Sequence, residues 1–354
     1  MLRRRLLDIF LFAVIAGTGV SVSGHVDDPN LPEGCGSCHV GHGVPNQPML
    51  PLTEEQFCYQ CHSSEVRRAE MQAEGRLAEG VVLKDIEQVF RKPYHHPVEE
   101  GTGHDPAERL PSLQPGKVSH AECTDCHNPH QRVSPGRPQR FEVSGYSLSG
   151  QYLDEATYEY QVCLKCHVDP TSINRTGRDV GRAFAASVAS QHPVTRPADG
   201  PRSPSLIATR DFGQMMRCSD CHTNDDPNGP RGPHGSNYPF MLSGNYDRSS
   251  YTDESPFTFE FCYSCHDRSS ILNNESFPLH REHIQGNIAK GTRGTSCATC
   301  HNAHSSADNP FLLDFNNDAV SPNSSGRLQY VRTGVHSGEC YLSCHNHDHN
   351  PGRY

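Results

Sequence analysis

Apolar residues are sparse along this 354-residue chain and seldom hold a period. One continuous apolar run stands out, at residues 9–16. It follows Arg3, Arg4 and Arg5 and leads into small residues up to Ser23 and Gly24. The run is far below the ~20 residues needed to span a bilayer, so residues 1–24 read as a cleaved secretory signal peptide. No later stretch is apolar enough to span. Strict alternation is never sustained, which predicts no sizeable sheet. Helical spacing predicts longer helices near 64–92 and 177–191, with Pro97 and Pro193 acting as stops. Three aromatic lead-ins, "TEEQFCYQCH", "TYEYQVCLKCH" and "FTFEFCYSCH", predict short helices, and Thr53 with Gln56 has capping-box spacing. The expected architecture is mostly coil with short α-helices and little or no β-sheet.

Composition turns this weak pattern into a question. Only 34% of residues are hydrophobic, and there are 30 glycines, 27 prolines and no tryptophan. That is too few apolar side chains for a large protein-only core. Either much of the chain is disordered or something other than side chains fills the interior. The formal charge is −10, and losing Arg3, Arg4, Arg5 and Asp8 with the signal peptide takes it to −12. An acidic mature chain argues against nucleic acid and anionic membranes as partners.

The 16 cysteines answer the question. They fall into eight pairs, each followed at once by histidine: Cys35/Cys38-His39, Cys58/Cys61-His62, Cys123/Cys126-His127, Cys163/Cys166-His167, Cys218/Cys221-His222, Cys262/Cys265-His266, Cys297/Cys300-His301 and Cys340/Cys344-His345. The last pair has three intervening residues where the others have two. C-x-x-C-H is the attachment site of c-type haem: two thioethers hold the vinyl groups, and the histidine is the proximal iron ligand. A disulfide framework would not need the histidines. Structural zinc would not need one after every pair, and redox dithiols would call for a thioredoxin-like βαβ pattern. Eight covalent haems would supply the missing core.

The motifs recur in four pairs, a repeat of roughly 90 residues. The repeats divide the chain into 25–92, 93–176, 177–272 and 273–354. The first member of a pair is followed by histidine three positions on, giving His42, His130 and His304; the third repeat offers His234 instead. A histidine also precedes each pair: His25, His96, His192 and, in "LHREH", His283. These eight are the expected distal iron ligands, with His120, His280 and His336 as competitors. His347 and His349 read as a solvated tail. His130 is too close to His127 to reach around one macrocycle, since a residue spans at most ~3.6 Å. It is therefore expected to serve another haem, its pair partner at Cys163/Cys166.

The pattern C-x-x-C-H-x-x-H followed by a second C-x-x-C-H, in four copies from residue 25 to residue 349, resembles the doubled-CXXCH family of multihaem c-type cytochromes, as an octahaem member. The resemblance implies a multihaem cytochrome c with a haem-packed core. It implies an exported electron carrier, periplasmic or extracellular, working in respiratory electron transfer. Its partners would be redox proteins or extracellular acceptors, and some relatives form homopolymer filaments. In that family the +3 histidine commonly ligates a neighbouring haem, which fits His42, His130 and His304. All haems with two histidine ligands have no open site, so they transfer electrons and carry no catalytic residue. The alternative is an octahaem reductase of hydroxylamine, nitrite or tetrathionate type with one open haem. Such enzymes often replace a proximal histidine, whereas all eight here are histidine.

Overall fold

The computed structural model describes residues 25–39, 49–98, 121–131, 141–167, 180–198, 202–209, 215–287, 291–344 and 347–354. The segment 1–24, expected to be a signal peptide, and His42, His120 and His345 lie outside the described residues.

Helices are short. They are α1 (Glu54–Cys58), α2 (Glu65–Ala73), α3 (Glu87–Phe90), α4 (Cys123–Cys126), α5 (Glu159–His167), α6 (Val180–Ala183), α7 (Glu260–Tyr263), α8 (Arg268–Leu272) and α9 (His280–Gln285). Ser64 caps α2 by accepting the Arg67 N–H. Thr53 stands at the N-cap of α1, but its side chain makes no capping bond, so the expected capping box does not form. The continuous helix expected over 64–92 breaks into α2 and α3. Gly75 and Gly80 both take φ of +75°, which ends a right-handed helix. Over 180–191 only α6 is helical, and the segment then extends into a strand.

Most strands are two-residue bridges: β1 (Tyr94–His95), β2 (Gly145–Tyr146), β3 (Tyr152–Leu153), β4 (Ser190–Gln191), β5 (Gly235–Ser236), β6 (Gly286–Asn287), β7 (Thr292–Arg293) and β8 (Ser305–Ser306). The exception is a three-stranded antiparallel sheet of β9 (Gln329–Arg332), β10 (Gly338–Cys344) and β11 (His347–Arg353), with β10 in the middle. The bridges tie repeats together. β1 pairs with β5, setting His95 opposite Gly235, and β4 pairs with β8, setting Gln191 opposite Ser305. Gly235 is required there, because a β-carbon would meet the Val89 carbonyl. Lys92 braces the first of these bridges, donating to Asn224 Oδ1 at 2.5 Å and to Asp225 at 2.6 Å.

Apolar burial is dispersed. Among the described residues the buried side chains gather in three small clusters: Tyr59, Phe90 and Val98; Val143, Ala156 and Val162; and Phe184, Val194 and Met216. A chain of this length ordinarily buries one contiguous core. The clusters line the motif segments instead.

Candidate haem sites

Seven of the motifs share one local shape. The first cysteine opens a helical or 3₁₀ turn, and the histidine N–H closes it onto that cysteine's carbonyl. The bonds are His39 to Cys35 at 2.8 Å, His62 to Cys58, His127 to Cys123, His222 to Cys218 and His301 to Cys297 at 2.9 Å, and His266 to Cys262 at 3.0 Å; α5 spans Cys163–His167. Such a turn sets both cysteines on one face, side by side. Asp125 and Asp220 stiffen two of these turns by accepting the N–H of Glu122 and of Arg217, each at 2.8 Å.

The motif histidines face other histidines at a common spacing. Ring centroids are 6.0 Å apart for His39 and His130, 5.9 Å for His62 and His25, and 6.1 Å for His127 and His234. They are 6.2 Å apart for His167 and His96, 6.1 Å for His222 and His304, and 6.3 Å for His301 and His280. His192 stands beside His266. Every pair joins one motif histidine to one histidine outside the motifs. Two imidazoles on opposite sides of one iron, each bound at about 2 Å, hold their centroids about 6 Å apart. Direct stacking would fix the tilt, yet the interplanar angles run from 14° to 60°. A constant distance with a varied tilt fits pairs of imidazoles that would hold one iron between them.

Burial disfavours the charged form of several of these imidazoles. Burial lowers His62, His266, His280 and His304 to about 4 and His234 to about 3. Several are held with Nδ1 protonated, because Nδ1 meets a carbonyl that can only accept. His96 donates to Pro233 O and His192 to Ala303 O, both at 2.5 Å. His39 donates to Met49 O at 3.2 Å, His222 to Phe240 O at 2.7 Å and His301 to Phe311 O at 2.9 Å. Each of these five leaves the Nε2 lone pair free, as a metal ligand requires.

The bridges explain the pairing. His96 N–H donates to His234 O, and His192 N–H to His304 O. His25 N–H donates to Pro129 O, next to His130. Each bridge joins a histidine of one repeat to a histidine of the next. His130 therefore faces His39 of the preceding repeat and not His167, the pair partner expected from the sequence. His234 and His304 likewise face the first motif of the repeat before theirs. In the fourth repeat His280 faces His301, while His283 turns its Nδ1 to Leu279 O at 2.7 Å. His347 and His349 contact each other at 4.6 Å on β11.

The cysteines run in sequence order through space. The thiols of Cys58 and Cys123, of Cys163 and Cys218, and of Cys262 and Cys297 are in hydrogen-bonding contact. Within repeats, Cys38 neighbours Cys58 and Cys61, Cys126 neighbours Cys163, Cys221 neighbours Cys262, and Cys300 neighbours both Cys340 and Cys344. Among the described residues, successive motifs therefore adjoin one another in chain order. Burial pushes the Cys126 thiol up to about 11 and Cys300 to about 12, the opposite of a zinc-binding thiolate.

Ile207 N–H donates to Cys265 O at 2.9 Å, which fixes the backbone of that cysteine. The neighbouring Ser264 hydroxyl donates to Phe261 O at 2.7 Å.

Glu159, Cys163 and Cys218 approach closely enough to hold an ion. The Glu159 carboxylate, however, is committed to Ser219 N–H at 2.7 Å and its hydroxyl at 2.8 Å. Glu54 grips Thr124 in the same way, at 2.7 and 2.8 Å. These two clamps were missed in the sequence. The signal is a glutamate four residues before a second-member cysteine, matched by Ser or Thr just after the next motif's first cysteine.

The eighth motif differs. Cys340 and Cys344 lie on β10, which is hydrogen-bonded to β9 and β11. Four residues of strand span about 13 Å, so these thiols are held farther apart than on a turn. Cys340 still stands beside Cys300, in the place that a second-member motif takes in the other repeats.

Comparison with known families agrees with this geometry. Residues 116–310, more than half of the chain, match the family described as outer membrane cytochrome MtrC/MtrF-like, domains II/IV. Residues 29–67 match the doubled CXXCH motif. No curated protein and no solved structure matches the chain.

Proposed function

The chain belongs to the outer membrane cytochrome MtrC/MtrF-like family, a multihaem c-type cytochrome, and from that premise we propose that it carries electrons along a single row of eight bis-histidine haems. The observation that carries this reading is the set of six motif-to-outside histidine pairs at 5.9–6.3 Å. Haem c supplies a one-electron iron couple at each motif. The protein's part is to hold each macrocycle by two cysteines and to close both faces of its iron with imidazole.

Numbering the haems by motif, the distal ligands are His130 for haem 1, His25 for haem 2, His234 for haem 3, His96 for haem 4, His304 for haem 5, His192 for haem 6 and His280 for haem 7. Haem 8 is assigned to Cys340/Cys344-His345 by its motif and by its place beside Cys300. His283 is its nearest equivalent to the other upstream histidines. With both faces closed at haems 1–7, none of those irons offers a substrate site, which favours transfer over catalysis. The setting proposed is respiratory electron transfer outside the inner membrane, in the periplasm or at the cell surface, to redox proteins or extracellular acceptors. No helix of the described residues is long and apolar enough to cross a membrane.

The test is low-temperature EPR of the oxidised protein with a pyridine haemochromogen count. Low-spin ferric signals alone, with eight haems per chain, support the reading. A stoichiometric high-spin signal would point to an open, reductase-type haem.

A further inference from the structure

Two segments outside the ligand map repeat one shape. Pro239–Phe240–Met241–Leu242 and Pro310–Phe311–Leu312–Leu313 each fold back over a first-member motif. In both, two consecutive residues are left-handed: φ is 61° at Phe240 and 54° at Met241, and 61° at Phe311 and 58° at Leu312. Residues with a β-carbon avoid this region. Where they occupy it, the surroundings must over-determine it, and such sites cluster at functional positions.

Side-chain burial does not compensate here, since Phe240 is 57% and Phe311 50% exposed. Backbone bonds do. Thr223 N–H donates to Met241 O at 2.7 Å and Ser243 N–H to Cys221 O at 3.2 Å. Asn302 N–H donates to Leu312 O and Asp314 N–H to Cys300 O, both at 2.9 Å. Each segment is thus laced to both sides of the motif histidine. The left-handed pair then aims one carbonyl at that histidine: Phe240 O at His222 Nδ1, 2.7 Å, and Phe311 O at His301 Nδ1, 2.9 Å. Met49, in "PML", aims its carbonyl at His39 in the same way.

We propose that these segments are straps, positioning elements whose backbone carbonyls fix the proximal imidazoles of haems 5 and 7 and hold those two irons at lower potential. A carbonyl accepting Nδ1–H makes the imidazole a stronger donor, and a stronger donor stabilises ferric iron. The proposal rests on the ligation of haem by His222 and His301.

The test is a matched pair of variants read by potentiometric titration and EPR. Phe240→Pro locks φ near −65° and swings the carbonyl away. The midpoint potential of one haem should rise and one low-spin signal should change its g-values, with the haem count unchanged. Phe240→Gly accepts a positive φ freely, keeps the carbonyl in place, and should leave potentials and signals as in the wild type. Equal shifts in both variants would assign the effect to the phenyl ring and overturn the strap. So would no shift in Phe240→Pro with haem content intact.

Because Phe240→Pro is a candidate for misfolding, the wild-type protein supplies a second reading. In the reduced, diamagnetic state with ¹⁵N-labelled histidine, the Nδ1–H protons of His222 and His301 should exchange slowly with D₂O. Exchange at the rate of exposed imidazole overturns the proposal. A haem count lacking haems 5 and 7 would instead defeat the haem reading itself.

Discussion

In the first three repeats the imidazoles that face the motif histidines come in couples, one from the same repeat and one from the next, joined by a backbone bridge. In the fourth repeat α9 supplies His280 from within, and the chain ends in the sheet β9–β10–β11. The difference shows that the repeat is not a self-sufficient unit. In the first three copies the first-member motif is completed by the following repeat, and in the fourth it is completed from within. The junctions follow the same division. Glu54 with Thr124 and Glu159 with Ser219 clamp the first two. At the third, into the terminal repeat, the matching positions are Thr258 and Ala298, which have no carboxylate to offer.

Breaking a bridge should have the largest effect. His234→Ala should convert one low-spin haem to high-spin and disturb the motif of Cys123, in the preceding repeat. The loss of electron throughput should exceed the 10–100-fold typical of outer-shell changes. His130→Ala should act on the haem of Cys35 and Cys38. If assigned NMR places the change at Cys163 and Cys166, the ligand map is wrong. In the terminal repeat the contrast should be sharp: His280→Ala opens the iron beside His301, whereas His283→Ala leaves that iron low-spin.

Intact mass addresses the strand motif. Eight haems are expected. A seven-haem protein would mean that the motif of Cys340 and Cys344 does not bind haem.

The clamps are smaller terms. Glu54→Ala should lower stability by about 1–3 kcal/mol, the scale of hydrogen bonds to a charged group, read as a shifted denaturant midpoint. Acid should probe the Lys92 brace last. Burial alone would raise Asp225, but hydrogen bonds from Lys92 and Asn237 outweigh it and hold its carboxyl at about 2. The folded value lies below the unfolded one, so its stabilisation is full above about pH 4 and fades as pH falls towards 2. Lys92→Met should flatten that part of the acid curve.

The sequence made the local chemistry legible and left the long-range wiring open. Each motif is complete within five or six residues, so spacing alone revealed the cysteines and motif histidines. His25, His96, His130, His192, His234 and His304 were also within reach, because the repeat marks them. Which motif each one faces was not, since β1–β5 and β4–β8 join segments more than a hundred residues apart. His280 and His283 lie three apart on one helix, and only the fold of α9 separates them. The break between α2 and α3 turns on two left-handed glycines, and the strand at Cys340 on pairing with residues 329–332 and 347–353. Neither is visible in periodicity.

The bridges also set an order in time. A chain is made from its N-terminus, and domains tend to fold in that order. The first motif of a repeat cannot meet its facing histidine until roughly ninety further residues have emerged. Each repeat therefore waits half-finished for its successor, and its closure releases the one before. Maturation should travel down the chain like a zip, one tooth behind the chain's emergence. His280 ends that dependence: it lies upstream of His301 and is already present when the last first-member motif appears.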